Sequence, residues 1–124
     1  MKLEKLVYYC QAWSLVWDDR SLFAEDFEAW ANGPVCPELF KKHQGYYFLE
    51  ADFFGELNKD IFSAEQIETM DSIIRDFGDK EPQWLSDATH SEAPWLEQRK
   101  GLKDGAPSHR IISKESMKRF YSGL

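Results

Sequence analysis

Apolar side chains recur every three or four positions along the start of the chain. The repeating positions are Leu3, Leu6, Val7, Cys10, Trp13, Ser14 and Trp17, of which Ser14 is the one polar member. This spacing predicts an amphipathic helix over residues 2–18. Tyr8, Tyr9, Leu15 and Val16 widen the apolar surface beyond one stripe. We therefore expect this helix to lie at the centre of the core, with Leu6, Trp13 and Trp17 buried.

Two helices are predicted in the middle of the chain. Pro37 suits the first turn of a helix over residues 37–43, because a proline there leaves no backbone N–H unpaired. The run Ser63-Ala64-Glu65-Gln66 is a capping box, which marks a helix start. Ile67, Met70, Ile74 and Phe77 then repeat at helical spacing. We expect Gly78 to end this helix in the left-handed conformation.

Two further helices are predicted downstream. Pro82 can start a helix that Pro94 ends or redirects. Ser113 can cap a last helix with one apolar face, formed by Met117, Phe120, Tyr121 and Leu124. Residues 101–108 read as an exposed loop between these two helices.

Other segments lack a clear period. Residues 21–33 suit either a short helix or an irregular extended segment, and Gly33-Pro34 is a turn signal. The aromatic stretch over residues 46–54 fits a strand, a turn of helix or a loop. The pattern as a whole predicts a mainly α fold, in which 1–124 is a single domain. We expect a compact bundle of about five or six helices around the hydrophobic first helix, with room for a short strand pair or an irregular aromatic segment.

Charge is distributed unevenly along the 124 residues, whose net charge is −7. Residues 1–95 hold 8 Lys and Arg against 19 Asp and Glu, a net of −11, whereas residues 96–124 hold 7 against 3, a net of +4. We expect the basic tail to dock onto the acidic body, and the alternative is an acidic face for a basic partner. An acidic surface repels a phosphate backbone, so no nucleic-acid partner is expected.

The chain also lacks the sequence features of a membrane or secreted protein. No apolar run approaches the roughly 20 residues of a bilayer span, and the start resembles no signal peptide. We expect a cytoplasmic protein without a membrane partner. Cys10 and Cys36 lie 26 positions apart, outside any C-x-x-C pair, so neither a disulfide framework nor a cysteine zinc site is indicated.

Motifs of the common enzyme classes are missing from the sequence. It contains no G-x-x-x-x-G-K-[ST], G-x-G-x-x-G, G-x-S-x-G or H-E-x-x-H pattern. Three histidines, His43, His90 and His109, fall in different predicted elements, so a shared metal site is disfavoured. The adjacent Glu25 and Asp26 suit a solvated surface. We therefore expect no catalytic residue, no metal and no cofactor.

One segment is chemically denser than its surroundings. It runs from Thr89 through His90, Glu92 and Pro94 to Trp95, with Arg99 one turn further on. Its structural interpretation is a corner, in which these side chains cap a helix end, pack and pair with a carboxylate. Its functional interpretation is that Trp95 and Arg99 face a partner, since both residue types are frequent in binding hot spots.

Four segments resemble a known family in order and spacing. They are Lys2 to Tyr9 with Gln11-Ala12-Trp13, Phe27 to Val35, Leu85 to Trp95 with Arg99, and Ile112 to Tyr121. The patterns K-L-x-K-L-V-Y-Y, A-W-x-x-G-P-V and T-H-x-E-x-P-W are each weak but jointly specific. Together they resemble the Panacea domain, the SocA-like antitoxin family associated with phages and mobile elements.

The resemblance implies a mostly helical, non-enzymatic domain that neutralises a toxin encoded nearby by binding it. Some relatives deliver a partner to a protease, so an adaptor is one alternative function. A phage structural or interaction protein is the other. The partner can also be a second copy of the chain, in a homo-oligomer. The family signature, structural or partner-binding, falls on Lys5, Tyr8, Trp30, Gly33, Pro34, Thr89, His90, Glu92, Pro94, Trp95 and Arg99. No helix-turn-helix or other DNA-binding pattern accompanies the four segments, so we do not expect autoregulation by direct operator binding.

We also expect an acidic surface with aromatic anchors to contact the partner, because 19 aromatic residues exceed what a core of this size usually uses. The proposed contacts are Glu25, Asp26, Glu28, Trp30, Tyr46, Tyr47, Phe53 and Phe54.

Overall fold

The computed structural model describes residues 2–44 and 61–124, and its first helix runs through the middle of the molecule. Helix α1 (Lys2–Trp17) packs against two helices, α3 (Ala64–Phe77) and α6 (Lys114–Ser122). Its buried residues are Glu4, Lys5, Tyr8, Tyr9, Cys10, Gln11, Ala12, Ser14 and Leu15. These positions occupy more than one side of the helix, which confirms the predicted central helix.

The face of α1 that enters the core is rotated from the predicted one. Trp17, expected to be buried, is 52% exposed, so that prediction is wrong. Leu6 and Trp13 are only half-buried. The Trp13 ring lies 5.1 Å from the Trp17 ring and 5.6 Å from that of Tyr121, so the two tryptophans cover the flank of the core toward α6.

Polar side chains on the buried face of α1 hold the neighbouring segments in place. One Glu4 carboxylate oxygen accepts a hydrogen bond from the Cys36 N–H at 2.9 Å, and the other lies 2.7 Å from His43 Nε2. Gln11 accepts a hydrogen bond from the N–H of residue 22 and donates one to the carbonyl of residue 23. Glu4 and Gln11 thus each have specific partners, as buried polar groups require.

The other helices begin where the sequence signals placed them. Helices α2 (Pro37–His43) and α4 (Pro82–His90) start at a proline, and α5 (Ala93–Gln98) has Pro94 in its first turn, so Pro94 redirects the chain into a new helix. The mainly α fold, with six helices in the described residues, confirms the predicted fold class.

Both predicted helix caps form. The Ser63 hydroxyl accepts the Gln66 N–H, and the Gln66 side chain accepts the Ser63 N–H, which completes the capping box of α3. Ser113 likewise accepts the Ser116 N–H at the start of α6. Leu124 lies beyond the end of α6 and is 75% exposed, so it does not share the buried face of that helix.

Gly78 ends α3 in a different way from the predicted one. Its φ of −65° is right-handed, so the prediction of a left-handed cap is wrong. A Cβ at this position would lie 2.3 Å from the Ile74 carbonyl oxygen, which already accepts the Gly78 N–H at 2.8 Å. Glycine is therefore needed here for close backbone approach rather than for handedness.

A small antiparallel sheet lies beside the helices. Its strands are β1 (Phe27–Trp30), β2 (Gly33–Val35) and β3 (Ile111–Ile112), in the order β2-β1-β3. Trp30 pairs with Gly33 across the β1–β2 hairpin, and Phe27 pairs with Ile112 on the other side. The extended alternative for residues 21–33 is thus confirmed. The prediction of a turn at Gly33-Pro34 is wrong, because the turn lies at residues 31–32 and Gly33 opens β2.

The basic tail packs onto the acidic body, as the charge distribution predicted. Lys114 Nζ lies 2.8 Å from Asp26 Oδ1, and Lys118 forms an ion pair with Asp19. Both lysines lie on α6, and both aspartates lie in or next to the segment that joins α1 to β1. These pairs hold the C-terminal part of the chain against the connection between α1 and the sheet.

Part of the predicted aromatic set lies outside the described residues, namely Tyr46, Tyr47, Phe53 and Phe54. Both cysteines are buried and free. Among the described residues, no helix combines the length and the hydropathy needed to cross a membrane.

Candidate functional site

Side chains from α5 hold the β1–β2 hairpin. Trp95 Nε1 donates a hydrogen bond to the Trp30 carbonyl at 2.8 Å. The Arg99 guanidinium donates to the Ala29 carbonyl at 3.2 Å, and its Cζ lies 5.7 Å from the centre of the Trp95 ring. Trp95 of α5 and Arg99, which follows its last residue, therefore fix the backbone at the end of β1, next to the hairpin turn.

A buried lysine approaches the hairpin from the other side. Lys5 is only 2% exposed and forms no ion pair with a carboxylate of the described residues. Burial lowers its pKa to about 8, and the neighbouring Glu4 opposes this shift. The folded protein therefore holds a lysine whose charge is disfavoured by its surroundings.

Gly33 makes room for this lysine. A Cβ at Gly33 would lie 2.7 Å from Lys5 Cε and 3.2 Å from Thr89 Oγ1, and the φ of Gly33 is +123°. A side chain at this position would thus be strained by both the backbone and its neighbours. Three signature residues, Lys5, Gly33 and Thr89, form one tightly packed contact.

His90 lies at the C-terminal end of α4, beside this contact. Its ring centroid is 4.3 Å from that of Trp95, and its Nδ1 is 3.5 Å from the Ser86 hydroxyl. Its Nε2 is buried and has no hydrogen-bond partner among the described residues. Burial, followed by the Lys5 charge, lowers the pKa of His90, although the Ala31 backbone acts to raise it. The imidazole is therefore neutral at physiological pH.

Glu92 connects three further aromatic residues. Its Oε1 accepts hydrogen bonds from the hydroxyls of Tyr9 at 2.7 Å and Tyr121 at 2.9 Å. The Tyr121 hydroxyl also lies 3.2 Å from that of Tyr8. Burial raises the pKa of Glu92, and the two tyrosine hydroxyls partly offset this effect. Burial also raises the pKa of all three tyrosines, which keeps them protonated as donors.

The signature residues thus share one region, built from α1, the β1–β2 hairpin and the α4–α5 corner. Trp95 and Arg99 hold the hairpin, Lys5 and Thr89 pack against Gly33, and the remaining contacts form the Glu92 network. These hydrogen bonds point inward, to backbone carbonyls and buried hydroxyls. The Thr89–Trp95 segment thus forms a corner, but two contacts of the structural interpretation are wrong. Glu92 makes no side-chain cap on α5, and among the described residues Arg99 donates to backbone carbonyls rather than pairing with a carboxylate.

The candidate catalytic and metal-binding groups lie apart. His43 is paired with Glu4, and His109 Nδ1 lies 2.9 Å from Glu28 Oε1. Burial raises the pKa of Cys10 to about 12 and that of Cys36 to about 11, so both thiols are protonated and poorly nucleophilic. In the part of the chain that the structure describes, no three His, Cys, Asp or Glu side chains are grouped to hold a metal ion.

The proposed partner contacts near the hairpin have neighbours within the fold. Glu28 accepts the Trp30 Nε1–H at 2.9 Å in addition to its contact with His109. Trp30 packs on Phe40, with ring centroids 5.1 Å apart, and is half-buried. Glu25 and Asp26 are exposed. Their role in binding stays a prediction.

A second acidic region was missed by the sequence reasoning. Residues 64–90 carry seven acidic residues against Arg75 and Lys80, a net of −5. All seven are exposed: Glu65, Glu68, Asp71, Asp76, Asp79, Glu81 and Asp87. Among them lie two exposed apolar residues, Ile74 (57% exposed) and Trp84 (45% exposed). We call this set the α3–α4 surface, and its acidic run was the available sequence signal.

The α3–α4 surface is continuous with the core. The Trp84 ring lies 6.1 Å from Phe77, which stacks on Tyr9 of α1 at 4.9 Å. Lys80 Nζ lies 5.0 Å from the centre of the Trp84 ring. Trp84 therefore contacts Phe77 and Lys80 and is still 45% exposed.

Comparison with protein families decides the relationship that the sequence patterns suggested. The family model described as antitoxin SocA-like, Panacea domain, matches residues 3–96. The chain belongs to the SocA-like Panacea family. Searches of curated proteins and of solved structures gave no significant match.

The matched range leaves out the C-terminal part of the chain. It includes the signature residues from Lys5 to Trp95 and ends before Arg99. Strand β3 and helix α6 follow the matched region, yet α6 supplies Tyr121 to the Glu92 network. The C-terminal segment therefore completes the same core rather than forming an addition to it.

Proposed function

We propose that this Panacea domain is an antitoxin, which neutralises a cognate toxin encoded nearby by direct stoichiometric binding and without catalysis. The family supports a role in a toxin–antitoxin system. The observation that carries the binding mechanism is the α3–α4 surface, where exposed apolar residues lie among seven exposed carboxylates. This combination fits a partner with a basic, partly apolar face.

The two kinds of residue on this surface have different expected roles. Trp84 is large, rigid and supported by Phe77, which are the properties of a hot-spot residue. The seven carboxylates of this surface are exposed, so they mainly steer association, and their effect depends on salt. Truncating Trp84 should therefore speed dissociation, whereas reversing carboxylate charges should slow association.

The protonated thiols and the inward-pointing hydrogen bonds of the signature residues support binding rather than turnover. The Glu92 carboxylate is occupied by two tyrosine hydroxyls. His90 packs against Trp95 at a tilted angle, and its Nδ1 lies 3.5 Å from the Ser86 hydroxyl, which is longer than the hydrogen bond between a base and an activated serine. We therefore assign no catalytic residue to this domain.

A titration of the purified toxin from the adjacent reading frame tests the mechanism. Full neutralisation is expected near a ratio of one antitoxin to one toxin, and full neutralisation far below that ratio would show catalysis instead. In a binding assay, Trp84→Ala should weaken affinity by about 30-fold or more, since a hot-spot truncation removes about 2 kcal/mol or more.

Two matched variants locate the surface. Ile111→Ala removes an apolar side chain of similar exposure (52%) on β3, away from α3 and α4, and should leave affinity unchanged. Glu25→Ala tests the predicted contacts near the hairpin. Loss of affinity with Glu25→Ala but not with Trp84→Ala, in folded proteins, would move the binding site to the hairpin side.

A further inference from the structure

A cavity lies between α5 and the loop that follows it. Its volume is about 410 Å³, which is within the range of small-molecule sites. The cavity wall includes three cations, Arg99, Lys100 and Lys103, together with the neutral His90 and one acidic residue, Asp104. This is a local excess of positive charge in a protein whose net charge is −7.

These cations are not neutralised inside the fold. Within residues 2–44 and 61–124, neither Arg99 nor Lys100 nor Lys103 forms an ion pair with a carboxylate. The hydrogen bonds of Arg99 go to backbone carbonyls, which leave its charge unpaired. Three positive charges line one cavity with Asp104 as the acidic residue of its wall, so they repel one another, and an anion in the cavity would reduce that repulsion.

The loop that carries the two lysines is held in shape. Arg99 donates hydrogen bonds to the carbonyls of residues 103 and 106 at 3.3 and 2.8 Å. Arg110 donates to the carbonyls of residues 98 and 100 at 3.2 and 2.8 Å. Two arginines therefore tie both ends of the loop to the end of α5. A site held in this way loses little conformational freedom when a ligand binds.

The inner wall of the cavity is formed by two aromatic rings. His90 and Trp95 both line the cavity, and their ring centroids lie 4.3 Å apart. His90 Nε2 itself is enclosed by the protein, so a ligand would contact these rings rather than this nitrogen. A phosphate group would lie toward the lysines, and the group that it carries would lie toward the rings.

We propose that this cavity binds a small ligand that carries a phosphate group. A phosphate monoester or a pyrophosphate carries about two or more negative charges at neutral pH, which matches three permanent cations better than the single charge of a carboxylate. The aromatic wall of His90 and Trp95 gives space for an apolar or planar group beside the phosphate. The proposal is independent of toxin binding, since the α3–α4 surface contributes none of the basic residues.

Isothermal titration calorimetry of the full chain at constant ionic strength tests the site. The probes are inorganic phosphate, pyrophosphate and AMP, with succinate as a dianion that carries only carboxylates. Saturable binding of at least one phosphate probe is expected. The exposed pair Lys100→Ala/Lys103→Ala should weaken it by about tenfold or more, and the matched pair Lys41→Ala/Lys42→Ala on α2 should leave it unchanged.

A second readout reports on the inner wall. In a ¹⁵N NMR titration with pyrophosphate, the ring nitrogens of His90 should shift, and those of His43, which is paired with Glu4, should not. The proposal is overturned if no phosphate probe binds, if both lysine pairs weaken binding equally, or if His90 does not respond. Binding of succinate as tight as that of pyrophosphate would also overturn it, because the site would then be one for carboxylates.

Discussion

Replacing Lys5 by methionine should stabilise this protein. The lysine is 2% exposed, and its pKa falls from 10.5 to about 8 on folding. Each pKa unit corresponds to about 1.4 kcal/mol, so keeping this charge in the folded state costs about 3 kcal/mol at neutral pH. Methionine has a similar length and no charge, and apolar replacements of buried charges are often neutral or stabilising.

The gain should depend on pH in a defined direction. Between pH 8 and 10.5 the unfolded chain binds more protons at Lys5 than the folded protein does, so the stability of the original protein rises with pH across that window. The advantage of Lys5→Met should therefore be largest below pH 8 and should disappear near pH 10.5.

Urea unfolding followed by tryptophan fluorescence, at several pH values from 7 to 10.5, measures this difference. Lys41→Met, an exposed substitution on α2, is the matched control and should change the free energy of unfolding by about 0.5 kcal/mol or less at every pH. If Lys5→Met destabilises the protein and the difference from the original protein is the same at every pH, the lysine is not an uncompensated charge and the reasoning is wrong.

Three further substitutions test other contacts by the same unfolding assay. Glu4→Ala leaves two buried partners unpaired and should cost about 3 to 5 kcal/mol, and a loss below about 1 kcal/mol would contradict the buried pair. Gly33→Ala should cost about 2 kcal/mol or more of unfolding free energy. Gly105 also has a positive φ, of +79°, but its surroundings are open, so Gly105→Ala should cost about 1 kcal/mol. Equal losses would show that packing against Gly33 is unimportant. The pKa of Glu92 is raised in the folded protein, so its contribution to stability declines as pH rises from about 4.5 through that raised pKa. Glu92→Gln should remove this decline. An unchanged dependence of stability on pH would contradict the raised pKa.

Local signals in the sequence predicted the ends of the helices well. Pro37 and the Ser63 capping box place two helix starts where the structure has them. These signals work because a cap or an N-terminal proline acts within one turn of backbone. The same reasoning found that α1 is central, since apolar residues occur around most of its surface.

The orientation of α1 could not be predicted in this way. Glu4 and Lys5 lie in the core, whereas Trp17 lies at the surface. Glu4 is buried because Cys36 and His43, more than thirty positions away, pair with it. A pattern that sorts residues by hydrophobicity cannot include such partners, because they exist only after distant segments have met.

For the candidate sites, too, the sequence predicted the residues but not their arrangement. The family signature named the residues that hold the hairpin, but the sequence could not show that they point inward. The cavity at Lys100 and Lys103 depends on a loop shape set by two arginines, which no motif encodes. The acidic residues of the α3–α4 surface are visible in the sequence as a run of charges. The exposure of Trp84 and its contact with Phe77 can be seen only in the structure.

The contact between Tyr8 and Tyr121 joins residues 113 positions apart. Such pairing closes a long loop, and contacts of this kind form late and slow the folding of a chain. During synthesis, α1 leaves the ribosome well before α6 exists to cover it, so its apolar flank stays open for several seconds at ordinary elongation rates of roughly 5–20 residues per second. Apolar surface that is exposed in this way can be bound by chaperones or reached by proteases until α6 docks. The delay between translation and folding would then limit the rate at which newly synthesised chains reach the folded state in a cell.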